Sequence, residues 1–352
     1  MISLVIINYN SEKLLKTCLD SIRALTYADR EVIFIDNASA DWSVEYVRAH
    51  YPEVRIIANY ENLGYAGGAN QAVRKSKGEF VVILNPDIVF EPDYFDVLVE
   101  RMERDKKIGA IIGKLRKFDF AKGEKTNVID SAGLLMYKSR RCVDRGQGEE
   151  DRGQYDTAEE VFGITGAVPM YRRAALEDVA VGSAVTADGT GGSAGAAPPW
   201  RGAGVDEYFD ESFFMYKEDV DISWRLRLAG WKCFYEPRAR AYHGRGTGAV
   251  NRATMVDVAR ARGGLSRFQK HYSYKNERLM RAKNELSLNV AHDFVHIAWR
   301  EMLMTGWMCV REPYLFKSFF VFLKQLPGAL TKRHAIMQRK KASAKEMQKW
   351  FS

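Results

Sequence analysis

Runs of consecutive apolar residues and apolar residues at helical spacing take turns along the first quarter of the chain. Short apolar runs rich in β-branched residues are typical of strands that are buried on both faces. The chain has four of them, at residues 2–7, 31–35, 54–58 and 80–84. Between these runs the apolar residues recur every three or four positions, over 11–25, 43–49 and 68–76. The alternation predicts a mainly parallel α/β sheet with helices packed on it.

Polar motifs follow the predicted strands directly. Asn8 comes after the first strand, and Asp36 and Asn37 come after the second. Since ligands of such sheets bind beyond the carboxyl ends of the strands, these side chains are candidates for a binding site. A carboxylate at the place of Asp36 can accept hydrogen bonds from a sugar hydroxyl or a base N–H. An Asp-Asn pair is also a common turn, and taken alone the turn is favoured.

A glycine-rich segment, residues 62–70, leads into the third predicted helix. It contains Gly68 and is bounded by Asn62 and Asn70. Glycines allow a ligand to approach the backbone closely, and the helix start offers free N–H groups to anionic oxygen. The segment matches neither the P-loop nor GxGxxG. A plain loop between strand and helix remains the alternative.

The fourth predicted strand ends in Asn85-Pro86-Asp87. Asp87 therefore projects from a strand end, where a carboxylate can bind a divalent cation that also holds a diphosphate. Asn85 can add a carbonyl oxygen or a hydrogen bond. Since this tripeptide is also a frequent turn, its position beside the other motifs is what favours the binding role.

Three carboxylates crowd the start of a later predicted helix. Glu218, Asp219 and Asp221 follow the apolar run 213–215. A helix N-terminus favours negative charge, but three acids in four positions exceed what the helix requires. The surplus indicates a site that takes up a proton and holds a cation. For Asp221, an ion pair with Arg225 one turn further on is an equally good explanation.

One histidine, His243, follows the strand-like segment 233–242 shortly after the acidic cluster. Imidazole is a common metal ligand. A lone histidine is more often a core residue with satisfied hydrogen bonds, so both interpretations stay open at this point.

Composition narrows the choice of partners and compartment. The formal net charge of +8 over 352 residues points to an anionic partner, which can be nucleic acid, lipid headgroups or a phosphorylated substrate. The four cysteines are scattered without a CxxC pair, so neither a zinc site nor a disulfide framework is expected. With no secretion signal and no apolar stretch of roughly 20 residues, we expect a cytoplasmic protein.

The second half of the chain contains two segments that differ in character from the predicted sheet. Residues 182–204 are rich in Gly, Ala, Ser and Thr, which predicts a flexible insert, either a surface insertion or a substrate lid. The sequence is helix-compatible and basic from about residue 262, with an apolar stretch at 314–324 and seven Lys or Arg against one Glu after residue 330. This combination is typical of a protein that lies on an anionic membrane surface. The alternative is a helical bundle on the catalytic domain with a solvated basic end.

Taken in order, these motifs resemble the inverting glycosyltransferases of family 2, and most closely the rhamnosyltransferase-like branch that builds bacterial cell-surface polysaccharides. The resemblance covers roughly residues 1–250. The helical and basic residues 261–352 are expected to form an appendage that associates with the inner face of the cell membrane. The resemblance implies a GT-A fold, a nucleotide-binding α/β sheet of Rossmann type, over residues 1–260. It also implies a nucleotide-sugar donor, with dTDP-rhamnose leading and UDP-sugars as the alternative, and a glycan or polyprenyl-linked acceptor.

The resemblance assigns roles to individual residues. Asp36 contacts the nucleoside of the donor, and the same pocket is lined by Asn8, Asn37, Asn62, Gly68, Asn70 and Asn85. Asp87 and His243 hold a divalent cation, Mg²⁺ or Mn²⁺, although Asn85 replaces the first acid of the family's DxD motif. Asp219 is the catalytic base. Apart from the resemblance, the chemistry of sugar transfer suggests that Glu218 and Asp221 orient the acceptor, and a structural role in the helix stays the alternative for both.

Rival functions are a sugar nucleotidyltransferase, which needs a basic phosphate loop that residues 8–13 do not provide, and a non-catalytic sugar-nucleotide or glycan-binding protein. The intact Asp87, Asp219 and His243 argue against the latter. Nucleic-acid binding lacks any supporting motif.

Overall fold

The computed structural model describes residues 1–182, 206–244 and 262–352. Almost all of the predicted insert at 182–204, together with its suggested role as a lid, lies outside these residues. The predicted domain boundary near residue 260 does so too.

A mixed sheet of ten strands forms the centre of the described structure. Its strands are β1 Ile2–Asn8, β2 Arg30–Asp36, β3 Arg55–Ala58, β4 Phe80–Leu84, β5 Ile88–Phe90, β6 Ile108–Asp119, β7 Glu124–Ser131, β10 Glu159–Glu160, β11 Met170–Arg172 and β14 Lys232–His243. The order is β10-β14-β6-β11-β4-β1-β2-β3, with β5 also beside β14 and β7 beside β6. Two small ribbons accompany it, β8 Leu134–Met136 with β9 Cys142–Asp144, and β12 Val181–Gly182 with β13 Asp206–Glu207.

Helices cover this sheet and continue to the end of the chain. Those of the first part are α1 Glu12–Arg23, α2 Ser43–His50, α3 Gly64–Lys75, α4 Tyr94–Arg104, α5 Arg173–Asp178 and α6 Glu218–Leu228. Those of the last part are α7 Arg267–Asn284, α8 Ser287–His292, α9 Phe294–Arg311, α10 Phe316–Arg339 and α11 Ala344–Gln348. None of the helices in the described ranges is long and apolar enough to cross a bilayer.

The predicted parallel α/β sheet is confirmed for the first four strands, where β1 pairs in parallel with β2 and β4, and β2 with β3. β1 and β4 are buried along their whole length, which explains their uninterrupted apolar sequence. The sheet then becomes mixed, because β11 enters antiparallel between β4 and β6. Because β1 pairs in parallel with both β2 and β4, the carboxyl ends of these three strands meet at one edge of the sheet.

The glycine-rich segment differs from the prediction of a loop that precedes a helix at residue 68. Helix α3 already begins at Gly64 and includes most of the segment. The glycines let this helix pack closely on the sheet: a Cβ atom on Gly68 would lie 3.0 Å from Cγ2 of Ile7 in β1. The small residues therefore serve helix packing here.

The C-terminal helices pack into the domain. A second apolar cluster joins Trp224 of α6 to Leu279 of α7, Ile336 of α10 and Phe351 near the chain end. The alternative of a helical bundle with a solvated basic end holds only in part. Lys332, in the basic segment, forms ion pairs with Glu207 and Asp210. The helices thus form a bundle that shares an apolar cluster with α6 and with the β8 strand.

Candidate active site

The loops after β1 and β2 form the first part of the candidate site. Asn8 and Asp36 are opposite each other in the parallel register, and both are buried. The Asn8 side chain donates to Oδ1 of Asp36 at 2.8 Å, and the backbone N–H of Ser39 donates to Oδ2 at 2.8 Å. Oδ1 of Asn8 is buried and has no hydrogen-bond partner among the described residues. An unpaired buried amide oxygen at a strand end is a candidate contact for a ligand.

Asn37 and Asn62 shape the turn that precedes α3. The Asn37 side chain donates to the carbonyl of Gly64 at 3.0 Å, and Oδ1 of Asn62 accepts from the Gly64 N–H at 2.8 Å. Gly64 itself has φ = +69°, and a Cβ there would lie 2.3 Å from the carbonyl oxygen of Phe214. Only glycine fits this position, so the turn and the loop before α6 are in direct contact.

Asn70 is fully engaged in structure. Its Oδ1 accepts from the Phe209 N–H at 2.8 Å, and its Nδ2 donates to the Phe209 carbonyl and to Oε1 of Glu211, both at 2.8 Å. These bonds tie α3 to the segment that leads to the acidic cluster. Asn70 and Gly68 thus both have structural roles in this fold. The ligand-binding roles predicted for them stay predictions.

Asp87 and His243 are neighbours, because β5 and β14 pair with His243 opposite Ile88. Nε2 of His243 lies 3.3 Å from Oδ1 of Asp87, and Nδ1 lies 2.7 Å from Oδ2 of Asp130. The imidazole is buried. Burial by itself lowers the pKa of His243, but hydrogen bonds to Asp130 and Asp87 outweigh it and raise this pKa to about 9.

Asp87 and His243 are suitable ligands for a divalent cation to which the protein contributes few ligands. Mg²⁺ and similar hard cations are often bound through one or two carboxylates together with substrate phosphates. The described residues contain no group of three or more acids, histidines or cysteines arranged to hold a metal by themselves. Asp130 contacts the far nitrogen of His243, as carboxylates commonly do behind metal-binding histidines. Asp87 and His243 would therefore bind the cation only together with a diphosphate.

Asp219 lies at the start of α6 and is partly exposed. Its Oδ2 accepts from the Gly166 N–H at 3.0 Å, and its Oδ1 accepts from the Val220 N–H at 2.8 Å. Ala167 follows Gly166 in the chain, and its carbonyl oxygen accepts a hydrogen bond from the Asn85 N–H at 3.0 Å. The Gly166–Ala167 backbone thus connects the predicted base to the strand end that carries Asn85 and Asp87.

Glu218 is buried beside Asp219, and its Oε2 has no partner in the described part of the chain. Burial and the negative charge of Asp219 raise the pKa of Glu218 to about 8. Burial also raises the pKa of Asp219, against the opposing effect of Lys217. The hydroxyl of Tyr65 donates to the Gly166 carbonyl at 2.6 Å, on the same short segment that contacts Asp219.

Asp221 has a structural role. Its Oδ2 accepts from Nε of Arg225 at 3.0 Å, which is the predicted i+4 ion pair. Its Oδ1 accepts from the Asn284 amide at 2.8 Å and lies 3.0 Å from Nζ of Lys283. Because Asp221 is inaccessible to solvent, the geometry favours the ion-pair alternative over acceptor binding.

The loop before α6 has unusual backbone geometry. Phe214, Tyr216 and Lys217 have φ values of 63°, 70° and 75°, a region that non-glycine residues rarely adopt. The side chain of Asn276 in α7 donates to the carbonyl oxygens of Phe213, Met215 and Tyr216 at 3.0, 2.8 and 2.7 Å. Strained backbone of this kind is found at sites where the surroundings fix it for function.

Sequence reasoning missed Asp130 and Asn276. For Asp130 a signal exists, because it is an acid between apolar and small residues, in the segment Val128–Ala132. Buried acids are costly unless they are paired, so an acid there indicates a partner. For Asn276 no sequence signal identifies its partners, which lie some 60 positions away along the chain.

A family model described as "Glycosyl transferase family 2" matches residues 3–180. Poly-beta-1,6-N-acetyl-D-glucosamine synthase of Staphylococcus aureus (strain COL) is 24% identical over 237 residues, which is 66% of this chain and 47% of that protein. The synthase of Staphylococcus epidermidis is 24% identical over 241 residues, 68% of this chain and 48% of that protein. The chain spans about half the length of these curated relatives.

Two solved structures resemble the fold. The S. aureus TarS 1–349 structure in complex with UDP-GlcNAc has a TM-score of 0.54 at 15% identity, covering 96% of this chain and 87% of that one. The GalNAc-T7 structure with UDP, GalNAc and Mn²⁺ has a TM-score of 0.51 at 14% identity, covering 89% and 58%. At these identities the likeness concerns the fold alone, and it confirms the predicted GT-A architecture.

Proposed function

Because the chain belongs to glycosyl transferase family 2, we propose that it transfers a sugar, with inversion, from a nucleoside-diphosphate donor to a hydroxyl of a glycan acceptor in cell-surface polysaccharide synthesis. One observation carries the proposal. Asp219 is held by the Gly166 N–H on the backbone segment that also binds Asn85, next to the Asp87–His243 pair. A proton acceptor and a candidate cation site therefore share one sheet edge.

Asp219 is the proposed base. Inverting transfer requires a group that takes the proton of the acceptor hydroxyl while this oxygen attacks the anomeric carbon from the side opposite the diphosphate. Asp219 is partly exposed, and its hydrogen bonds to Gly166 and Val220 fix its orientation. The raised pKa of its carboxyl makes the carboxylate a stronger proton acceptor than an ordinary surface aspartate.

Asp87 and His243 are the proposed ligands of Mg²⁺ or Mn²⁺, and the cation would take the place of the proton that His243 otherwise carries at neutral pH. When bound, such a cation stabilises the negative charge that develops on the leaving diphosphate. Asp130 orients the imidazole through the bond to Nδ1. Asn85 supplies no charge at the first position of the acidic motif, so the protein contributes a single carboxylate to the cation and the diphosphate contributes the remaining negative charge.

The donor occupies the edge formed by β1, β2 and α3 in this proposal. Asp36 and the unpaired Oδ1 of Asn8 offer hydrogen-bond acceptors to a nucleoside. dTDP-rhamnose is the leading donor by sequence resemblance, and UDP-sugars are the second candidate because the TarS structure holds UDP-GlcNAc. The proposed acceptor is a polyprenyl-linked glycan at the anionic inner face of the cell membrane.

A donor screen tests the proposal. The full-length protein is incubated with Mn²⁺, a panel that includes dTDP-rhamnose and UDP-GlcNAc, and a membrane extract that supplies acceptors, and the released nucleoside diphosphate is measured. One donor should give acceptor-dependent release, and Asp219→Asn should lower kcat by about 10²–10⁴-fold. Asp96→Asn, which removes an exposed acid on α4, should leave the rate unchanged.

Two results would contradict the proposal. Asp219→Asn protein with undiminished activity would exclude this residue as the base. Proton NMR of the isolated product should show an anomeric configuration opposite to that of the donor, and retention would exclude the inverting mechanism.

A further inference from the structure

Helix α9 faces the rest of the protein with its charged side and solvent with its apolar side. Before its last residue its only acidic or basic side chains, apart from histidine, are Arg300 and Glu301. Arg300 donates to Glu277 of α7 at 2.9 Å, and Glu301 accepts from Arg278 and Arg281 at 2.7 and 2.5 Å. An amphipathic helix on a globular protein normally has the reverse orientation.

The outward side of α9 is mostly apolar, and its exposed polar side chains are His296, Thr305 and the terminal Arg311. It exposes large apolar residues at Phe294, Val295, Trp299, Met302 and Val310. Trp299 is 60% exposed. Single exposed apolar residues need no explanation, but a continuous exposed stripe marks an interaction surface.

Helix α10 exposes a second apolar stripe. Its members recur at intervals of four and three positions and lie on one side of the helix: Phe316, Phe320, Leu323, Pro327 and Leu330. Lys317 and Lys324 are exposed beside this stripe. The short 3-10 turn Pro313–Leu315 joins the two helices, so the two stripes lie on consecutive helices of one helix–turn–helix unit, the α9–α10 hairpin.

The exposed charges around these stripes are positive. Every acid between residues 286 and 345 is ion-paired to a basic side chain, Asp293 with Arg140, Glu301 with Arg278, and Glu312 with Arg262. The exposed cations nearest the two stripes are Arg311, Lys317 and Lys324. The surface therefore combines apolar area with unopposed positive charge.

We infer that the exposed apolar stripes of α9 and α10 insert into the headgroup layer of an anionic lipid bilayer. Helices that lie in a membrane interface bury an apolar stripe while flanking lysines contact anionic headgroups. A second copy of this chain fits less well, because the matching face would bring Lys317 and Lys324 towards like charges without exposed acids to pair with. The occupant is thus a bilayer.

The docked face is connected to the candidate active site through α7. Adjacent residues of α7 serve the two sides: Asn276 holds the loop before α6, and Glu277 holds Arg300 of α9. A protein bound in this way keeps its catalytic loop one helix away from the lipid surface. The inference deepens the proposed function by naming the surface that brings the enzyme to a lipid-linked acceptor.

Vesicle co-sedimentation tests the inference on the full-length protein without donor or acceptor. Vesicles of phosphatidylcholine with phosphatidylglycerol are compared with vesicles of phosphatidylcholine alone. Wild-type protein should sediment with the anionic vesicles. Less of it should sediment in 0.5 M NaCl, because the Debye length is then only about 4 Å. Trp299→Ser with Met302→Ser, and separately Lys317→Glu with Lys324→Glu, should each weaken binding by about tenfold or more.

Trp42→Ser is the matched control, because Trp42 is 70% exposed at the start of α2, outside the hairpin. This variant should bind vesicles like wild type. Unchanged binding in both hairpin variants would overturn the inference. A second result would also overturn it: wild-type protein forms a dimer by light scattering and does not bind vesicles, and the Trp299→Ser, Met302→Ser variant is monomeric.

Sugar transfer and docking fail independently in this design. Protein that binds vesicles and shows no donor turnover contradicts the proposed function and leaves the docking surface standing. Protein that releases nucleoside diphosphate with a water-soluble acceptor and ignores vesicles contradicts only the docking surface.

Discussion

At the scale of single residues, Asp130 controls the orientation of His243. It is buried, and its Oδ2 lies 2.7 Å from Nδ1 of the imidazole. With Nδ1 bonded to Asp130, Nε2 is the nitrogen that faces Asp87. Nε2 is therefore the nitrogen available to the proposed cation.

Asp130→Asn removes the charge and keeps the shape of this residue. We expect the variant to bind Mn²⁺ about 10–100-fold more weakly in the presence of UDP or dTDP, as measured by isothermal titration calorimetry. Asp96→Asn is the control with unchanged binding. Equal Mn²⁺ affinity in wild type and Asp130→Asn would reduce Asp130 to a packing residue.

Glu218 gives the protein a characteristic dependence of stability on pH. Its folded-state pKa of about 8 lies above the usual value of 4.5, so the folded state holds the proton more tightly than the unfolded state. The stabilising effect of protonation is complete below about pH 4.5 and is lost as the pH rises through about 8.

Glu218→Gln replaces the carboxyl with a neutral amide of similar shape. The melting temperature of the variant relative to wild type should therefore increase between pH 5 and pH 8.5, as measured by differential scanning calorimetry. A difference that stays constant over this range would show that Glu218 ionises normally in the folded protein.

At the scale of elements, helix α7 positions the start of α6. The loop before α6 has three non-glycine residues with positive φ. Each residue in this conformation lowers the stability of the fold by about 1–3 kcal/mol. Asn276 offsets part of this cost by donating to three loop carbonyls. Asp219 is the second residue after this loop, so its position depends on α7.

Asn276→Asp replaces the donating amide with a carboxylate that faces the same carbonyl oxygens. We expect a loss of about 1–3 kcal/mol in the free energy of unfolding and a fall in kcat of at least about tenfold, with little change in KM for the donor. Urea unfolding and steady-state kinetics measure these effects. A variant with wild-type kcat would show that the loop keeps its geometry without this clamp.

Helix α3 illustrates where element prediction stopped. The sequence indicated glycines and a helix start within 62–70, and both are present, but the helix begins at Gly64 rather than at residue 68. Glycine is unfavourable in a helix by itself. The close approach of Ile7 and Phe214 decides the outcome, and neither contact is visible in the local sequence.

At the scale of the whole molecule, the chain end is part of the core. Phe351 packs edge-to-face on Trp224 with ring centroids 5.8 Å apart, and the guanidinium of Arg140 lies 3.9 Å from the centre of the Phe351 ring. The N–H of Ser352 donates to the Met136 carbonyl at 2.9 Å. The last residues therefore join the β8–β9 ribbon to α6.

Phe351→Ala removes this contact. The free energy of unfolding should fall by about 3–5 kcal/mol, measured by urea denaturation followed by circular dichroism. Tyr60→Ala, which truncates a fully exposed aromatic ring, is the control with little effect. If both variants unfold at the same urea concentration, the C-terminal residues do not share a core with α6.

The sequence by itself determined the parallel α/β start of the sheet, because period and apolar content act locally along each strand and helix. It also indicated the strand-end positions of Asp36, Asn85 and Asp87, since each directly follows an apolar run. The pairing of Asp221 with Arg225 belongs here too, because residues four apart on a helix are neighbours in any fold.

Only the tertiary structure decided which distant groups meet. The bonds of His243 to Asp130 and of Asn276 to the loop before α6 join residues more than 50 positions apart. The same holds for the charges of the C-terminal helices: Lys332 and Arg300 are paired inside the protein, while Trp299 and Phe320 face outward. Composition counts charges and apolar residues, but the side to which each one points depends on the packing of helices far apart in the sequence.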